Sequence, residues 1–187
     1  MIITETERLI IRNWEERDRD LFYEINSDEN VMEFFPFRRT HEQSDELFYR
    51  NRQKIAETGY GFFALEERTG GECLGFAGLA LTSLEPFIPD GSVEIGWRLA
   101  RRYWGNGYVT EAAKALLELG FNERQLPEII SFAVRDNYRS VAVMHRIGMA
   151  ADPERDFDHP SVPQSHAILK PHVFYSMTYD RWRHRAA

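Results

Sequence analysis

The stretch Val93-Glu94-Ile95-Gly96-Trp97-Arg98-Leu99, followed by Ala100-Arg101-Arg102-Tyr103-Trp104-Gly105-Asn106-Gly107 and Tyr108-Val109-Thr110-Glu111-Ala112, decides the fold. Its first seven residues alternate. Val93, Ile95, Trp97 and Leu99 share one face and Glu94, Gly96 and Arg98 the other, as in a half-buried strand. From Tyr108 the period changes: Val109, Ala112, Ala113, Leu116, Leu117, Gly120 and Phe121 fall on one face of a helix over 108–121. A glycine-containing loop entering a helix presents unpaired N–H groups, and the helix dipole adds partial positive charge there. Phosphate is the usual anion at such a place. Glycines 105 and 107 allow close backbone approach, and Arg101 and Arg102 add full charge beside it. A phosphate-bearing ligand is expected here.

The spelling Arg102-x-x-Gly105-x-Gly107 after an amphipathic strand resembles the pyrophosphate-binding motif of the GNAT acetyltransferases. Glu94-Ile95-Gly96-Trp97 and Trp104-Gly105-Asn106-Gly107-Tyr108-Val109-Thr110-Glu111-Ala112 resemble the branch that includes the ribosomal-protein alanine N-acetyltransferases. Thr6-Glu7-Arg8-Leu9-Ile10-Ile11-Arg12, Val31-Met32-Glu33-Phe34-Phe35-Pro36 and the Asn137-x-x-Ser140 segment ending in Gly148-Met149 are similar to the same branch. The likeness spans nearly the whole chain and is weakest over 82–92 and 151–171.

That resemblance implies a mixed α/β fold over 1–187 as a single domain. It would hold a central, mostly antiparallel twisted sheet of about six to seven strands flanked by helices. It implies acetyl-CoA as co-substrate, no metal, and acetyl transfer to an amine by direct attack on the thioester. The backbone of Trp97, Arg98 and Leu99 would pair with pantetheine and point an N–H at the thioester carbonyl. Arg102, Tyr103, Trp104, Gly105, Asn106, Gly107 and Tyr108 would hold the pyrophosphate. Asn137 and Ser140 would touch the pantetheine and phosphate arm.

Composition narrows the partners. The chain has 187 residues, enough for one sizeable core, with 43% hydrophobic and 13% aromatic content. Its 23 basic and 30 acidic residues give a net charge of −7, which favours neither nucleic acid nor an anionic membrane. The acidic balance suits a cationic amine: a basic protein N-terminus, a polyamine or an aminoglycoside. No run approaches the ~18 apolar residues of a membrane span, and the opening residues lack the build of a signal peptide, so a cytoplasmic monomer or homodimer is expected. Cys73, the single cysteine, reads as a small buried hydrophobe.

Along the chain, 8–12 reads as a strand and 18–26 as a helix through Leu21, Phe22 and Ile25. Thr40-x-x-Gln43 spells a capping box opening a helix to about Thr58, ended by Gly59. In the family the two helices and their joint wall the acceptor site, and Phe34, Phe35, Phe37 and Tyr49 either line it or fill the core. Strands at 62–66 and 72–81 flank a hairpin turn. Residues 82–92, with Pro86, Pro89 and Gly91, read as a loop. A strand at 129–134 precedes a short helix capped by Asn137 or Ser140 and closed by Gly148, and 172–179 forms the last strand before a basic tail. The loop 151–171, rich in proline, is long enough to carry function.

Glu94, on the polar face beside Gly96, is the candidate base; the bland alternative is a salt-bridged surface carboxylate. Gly96 would leave room for acetyl-pantetheine. Tyr175, Ser140 or His172 would protonate the leaving thiolate. The histidines lack metal-ligand spacing. A dinucleotide fold is excluded by the amphipathic strand, by five residues before the first glycine, and by an acid arriving late. The remaining rival is a GNAT-shaped domain that binds acyl-CoA without turnover.

Overall fold

The alternating stretches become strands wherever one face meets helices. A computed structural model describes residues 1–186. The first pair is β1 (Ile2–Glu5) and β2 (Leu9–Arg12), followed by helices α1 (Arg19–Ser27) and α2 (His41–Thr58). Then come β3 (Gly61–Glu67), β4 (Cys73–Leu84), β5 (Ile88–Leu99) and α3 (Tyr108–Glu118). The chain continues through β6 (Glu128–Val134), α4 (Tyr138–Ile147), β7 (Ala150–Ala151), β8 (Phe157–Asp158), β9 (Pro171–Thr178) and α5 (Tyr179–Ala186). One sheet takes the order β1-β2-β3-β4-β5-β6-β9-β7, with β8 also on β9. Every pairing is antiparallel except β5 with β6.

The expected mixed fold with its mostly antiparallel sheet is therefore present, with more strands than expected. β1 lies ahead of the first predicted strand, and 151–171 contributes two-residue β8 rather than a bare loop. The predicted loop 82–92 is instead the tip of the β4–β5 hairpin, with Thr82 opposite Ser92 and Leu84 opposite Ile88. Pro89 and Gly91 fall where the register shifts between those pairs, so the ladder tolerates residues that usually break a strand. The basic tail winds into α5, and its Trp182 stacks on Phe121 with ring centroids 5.3 Å apart.

Period 2 sorts the two layers. Phe76, opposite Arg98 on the even face of β5, meets Phe22 of α1 and Trp14, so α1 and α2 cover that face. Tyr175, opposite Ser131, bonds to His145 of α4, so α3 and α4 cover the other. Leu9, Ile11, Phe22, Phe48, Phe63, Leu79, Ile95, Leu116 and Phe121 are almost fully buried between these layers.

Local chemistry sets the helix ends. The Thr40 hydroxyl accepts from the Gln43 N–H (3.3 Å) while the Gln43 carboxamide oxygen accepts from the Thr40 N–H (3.1 Å), the reciprocal cap read from the sequence. Gly59 closes α2 with a φ of 72°. Thr40→Ala removes one capping acceptor and should lower unfolding stability by about 1 kcal/mol, read as a shifted urea midpoint.

Candidate functional site

A crossover through α3 makes β5 and β6 parallel neighbours, yet they share one register point, Glu94 with Ile130. Beyond it, among the described residues, their ladder goes no further. The Ser131 hydroxyl donates to the Ile95 carbonyl at 2.9 Å, a side chain standing where a ladder bond would otherwise form. Strand alternation turns the N–H and C=O of Trp97 in the same direction as those of Ile95, into the widening gap. The next carbonyl on that edge, of Leu99, accepts from the Trp104 indole at 3.0 Å. A cavity of about 1520 Å³ runs through the gap from one face of the sheet to the other.

Its α3 end is built for an anion. Gly105 and Gly107 hold φ values of 81° and 79°, left-handed positions where a side chain is strained. In front of Gly105 a Cβ would meet nothing within 4 Å. Gly107 is the N-cap of α3 and supplies no side-chain acceptor, so the first-turn amides of Tyr108, Val109 and Thr110 are left for another partner. The N-terminus of α4 opens on the same cavity through Asn137, Tyr138, Arg139 and Ser140. Of the two capping candidates Asn137 is the cap: its Oδ1 accepts from the Ser140 N–H at 3.1 Å. Lys114, Arg139 and Arg146 add cations to the lining. These residues fit the pyrophosphate and pantetheine of a coenzyme A ester.

The predicted residues do not all arrive together. Trp97, Arg98, Leu99, Tyr103, Trp104, Gly105, Gly107, Tyr108, Asn137 and Ser140 line the cavity, as does Glu94. Arg102 does not: it is ion-paired with Glu24 and lies over the Tyr103 ring at 4.8 Å, at a separate recess. Asn106 turns its carboxamide back on the Tyr103 and Trp104 carbonyls (3.2 and 3.3 Å), and its own carbonyl accepts from Arg8. The cation the motif led one to expect from Arg102 is instead offered by Arg139, which stacks on Trp104 at 4.6 Å and pairs with Glu33. Its signal lay between the two cap candidates, Asn137 and Ser140.

The other end of the cavity lies on the α1–α2 side. Glu94 sits where β5 and β6 part, with Phe132, His159 and His172 lining the space around it. Its carboxyl is pushed up to about 7 by burial, against a smaller pull from Lys54. No ion pair holds Glu94 among the described residues, so the surface salt bridge is not its role. The room expected over Gly96 is taken by Phe62, whose ring carbon would lie 2.9 Å from a Cβ there. Tyr175 faces the α4 side, 6% exposed, with its hydroxyl 3.1 Å from His145 Nε2, and is not part of the lining. His172 is on the Glu94 face, 8% exposed, its Nδ1 2.8 Å from the Lys170 carbonyl. That carbonyl can only accept, so Nδ1 carries the proton and Nε2 keeps a lone pair. Burial holds the His172 pKa below the usual histidine range, partly offset by that carbonyl. Phe34, Phe35 and Phe37 line the same wall, whereas Tyr49 is exposed and donates to Glu16 at 2.7 Å. Cys73 is partly buried, its thiol pushed up to about 12 by burial. Among the described residues no cluster of three or more His, Cys, Asp or Glu is placed to hold a metal ion, and no helix is long and apolar enough to cross a membrane.

A mixed sheet with one parted parallel pair, and an uncapped helix at a glycine loop beside the gap, define the class of acyl-CoA-dependent transferases. The family description "Acetyltransferase (GNAT) domain" matches residues 8–150, and the chain belongs to that family of acyltransferases. It is 36% identical to the Bacillus subtilis (strain 168) protein YkkB over 145 residues, 77% of this chain and 83% of that one. It is 32% identical to the N-acetyltransferase YnaD of the same organism over 144 residues, 77% of this chain and 80% of that one. Among solved structures, a GNAT acetyltransferase from Bacillus anthracis superposes with a TM-score of 0.78 at 26% identity, covering 96% of this chain and 99% of its own. The fold is also that of the ribosomal-protein-S5-alanine acetyltransferase from Vibrio fischeri, with a TM-score of 0.73 at 16% identity over 96% and 97% of the chains. The family's acetyl donor is acetyl-CoA.

Two substitutions separate loop from surface charge. Gly107→Val puts a branched side chain at positive φ beside the α3 amides and should weaken CoA binding at least about tenfold, or about 1.4 kcal/mol. Arg102→Ala removes only an exposed ion pair and should leave CoA affinity within about twofold. Calorimetry on both variants checks the contrast.

Proposed function

We propose that this chain acetylates an amine with acetyl-CoA by direct attack of the nitrogen on the thioester, with Glu94 as the base. The observation that carries this reading is the position of Glu94: unpaired, at the point where β5 and β6 part, on the face opposite the α3 amides. Acetyl-CoA supplies an activated acyl group entering from the α3–α4 side. The α3 first turn and the α4 N-terminus hold its phosphates, and the main chain of Trp97 pairs with its pantetheine arm. The Trp97 N–H also polarises the acyl oxygen, a donor that no side-chain substitution removes.

An amine entering from the α1–α2 side meets Glu94. The nitrogen becomes acidic as the N–C bond forms, and the carboxylate takes its proton directly or through one water. Burial, which raises the Glu94 pKa to about 7, leaves it basic enough to accept that proton and still ionised in much of the population at neutral pH. Neutral His172 on the same face is a second acceptor through Nε2. As the C–S bond breaks, sulfur keeps the electron pair and takes a proton. Ser140, at the α4 end of the cavity, is the donor placed for this, and Tyr175 acts on that helix through His145 rather than on the sulfur.

Glu94→Gln keeps the shape and removes the base. With a true acceptor, kcat should fall roughly 10²-fold or more while CoA affinity stays put. The wild-type rate should rise with pH and level off above about 7, as the carboxylate forms. Thiol release from acetyl-CoA across a panel of amines measures both. CoA binding without thiol release from any amine would make the chain a sensor instead.

A further inference from the structure

The cavity holds a cation that neither the acetyl donor nor the fold uses. Arg98 projects from the even face of β5, the α1–α2 side, away from the α3 amides. Its guanidinium donates to Asn26 Oδ1 at 2.7 Å and lies between the rings of Phe35 (4.3 Å) and Phe76 (5.2 Å). Among the described residues no carboxylate pairs with it. Arg39, beside it, lies over Phe37 at 4.9 Å, has no carboxylate partner there either, and donates its main-chain N–H to the Asn26 carbonyl at 3.0 Å. Elsewhere on the same layers, Arg12 is paired with Asp18 and Glu66, and Arg19 with Asp45.

A guanidinium in a cavity wall with no carboxylate partner is disfavoured by desolvation, and a second cation beside it adds repulsion. Burial and the charge of Arg39 pull the Arg98 pKa down to about 9, so it remains charged at neutral pH. Aromatic faces stabilise a cation but cannot neutralise it. Asn26 occupies part of the guanidinium edge, and no carboxylate among the described residues takes the rest. The open edge is a planar donor fork, the shape that meets a carboxylate with two parallel bonds.

We propose that the acceptor amine carries a carboxylate, held by Arg98 with help from Arg39. The net charge of −7 suits a cationic amine, whereas this wall is locally cationic within that acidic chain. Glu94 and Arg98 are four residues apart on one strand face, about 13 Å between Cα atoms at ~3.3 Å per residue. At that separation a carboxylate held at Arg98 lies several bonds from a nitrogen reacting at Glu94. An amino acid acetylated on its side-chain amine, or a short peptide acetylated at its N-terminus, has that spacing.

This inference rests on the acetyl-transfer reading, and one assay separates the two. Thiol release from acetyl-CoA is measured with matched amines, each as the free carboxylate and as its amide, together with a polyamine. The carboxylate forms should have kcat/KM at least about tenfold above their amides. Arg98→Gln should abolish that preference through KM, so that each acid and its amide react with kcat/KM within about twofold of one another. Arg39→Gln, at a partly exposed position that does not threaten folding, should reduce the preference in the same direction. Equal rates for acid and amide, or a polyamine as the best acceptor, would overturn the carboxylate while leaving acetyl transfer standing. A loss of CoA affinity in Arg98→Gln would assign the arginine to the donor and overturn it likewise. Thiol release from no amine would overturn the acetyl-transfer reading beneath it, and this one with it.

Discussion

Two parallel strands that pair at a single point are the constraint on which the rest of this structure depends. A parallel ladder normally runs on, because each unmade N–H···O=C bond in a protein interior costs about 1–3 kcal/mol. Here β5 and β6 meet at Glu94 and Ile130 and then part. The hydroxyl of Ser131 covers the Ile95 carbonyl, and the Trp104 indole covers that of Leu99. Between them the main chain of Trp97 is open to a ligand that completes the ladder. In the proposed reading the gap recognises the pantetheine backbone, and side chains satisfy the groups on either side of it.

The same parting separates two electrostatic tasks. On the α3–α4 side, uncapped amides and helix N-termini collect negative charge. On the α1–α2 side, Glu94 and Arg98 have no ion-pair partner among the described residues, each with its charged form disfavoured by burial, the acid raised to about 7 and the base lowered to about 9. Desolvation moves the two pKa values toward neutrality from opposite directions, which suits the base and the anion receptor proposed for this strand face. A sheet with both layers fully paired would have left neither group in contact with a substrate.

Fully paired charges do other work. Arg12, Asp18 and Glu66 form a buried network that ties β2 to β3 and to the turn before α1. Glu111 on α3 takes the Thr6 hydroxyl, the Arg8 amide and the Arg8 guanidinium. Those bonds hold the Glu111 carboxyl below its usual range despite burial, and they fasten the entrance of β2 to the glycine loop. Both networks fix where the cavity walls stand, and Glu111 itself belongs to the lining.

What the sequence by itself determined was whatever depends on near neighbours. The change of period at Tyr108, the Thr40–Gln43 cap, the glycines that close α2 and α4, and the two at the anion loop follow from side-chain spacing and backbone conformation, which are local properties. The alternation of β5 also assigned Glu94 and Arg98 to one face. Tertiary structure decided everything that depends on which element lies alongside. Residues 82–84 and 88–92 became strand around a turn at 85–87 because β4 and β5 continue to pair beyond Leu81. Arg102 went to Glu24 because α1 packs beside the loop, and Arg139 took its place at the cavity. Phe62 filled the space over Gly96 because β3 brings it there. Arg98 was left without a counterion because the layer above it offers an asparagine and aromatic rings. Charge pairing and burial are set by distances between residues far apart in the chain, and a linear pattern contains no information about those distances until the layers are stacked.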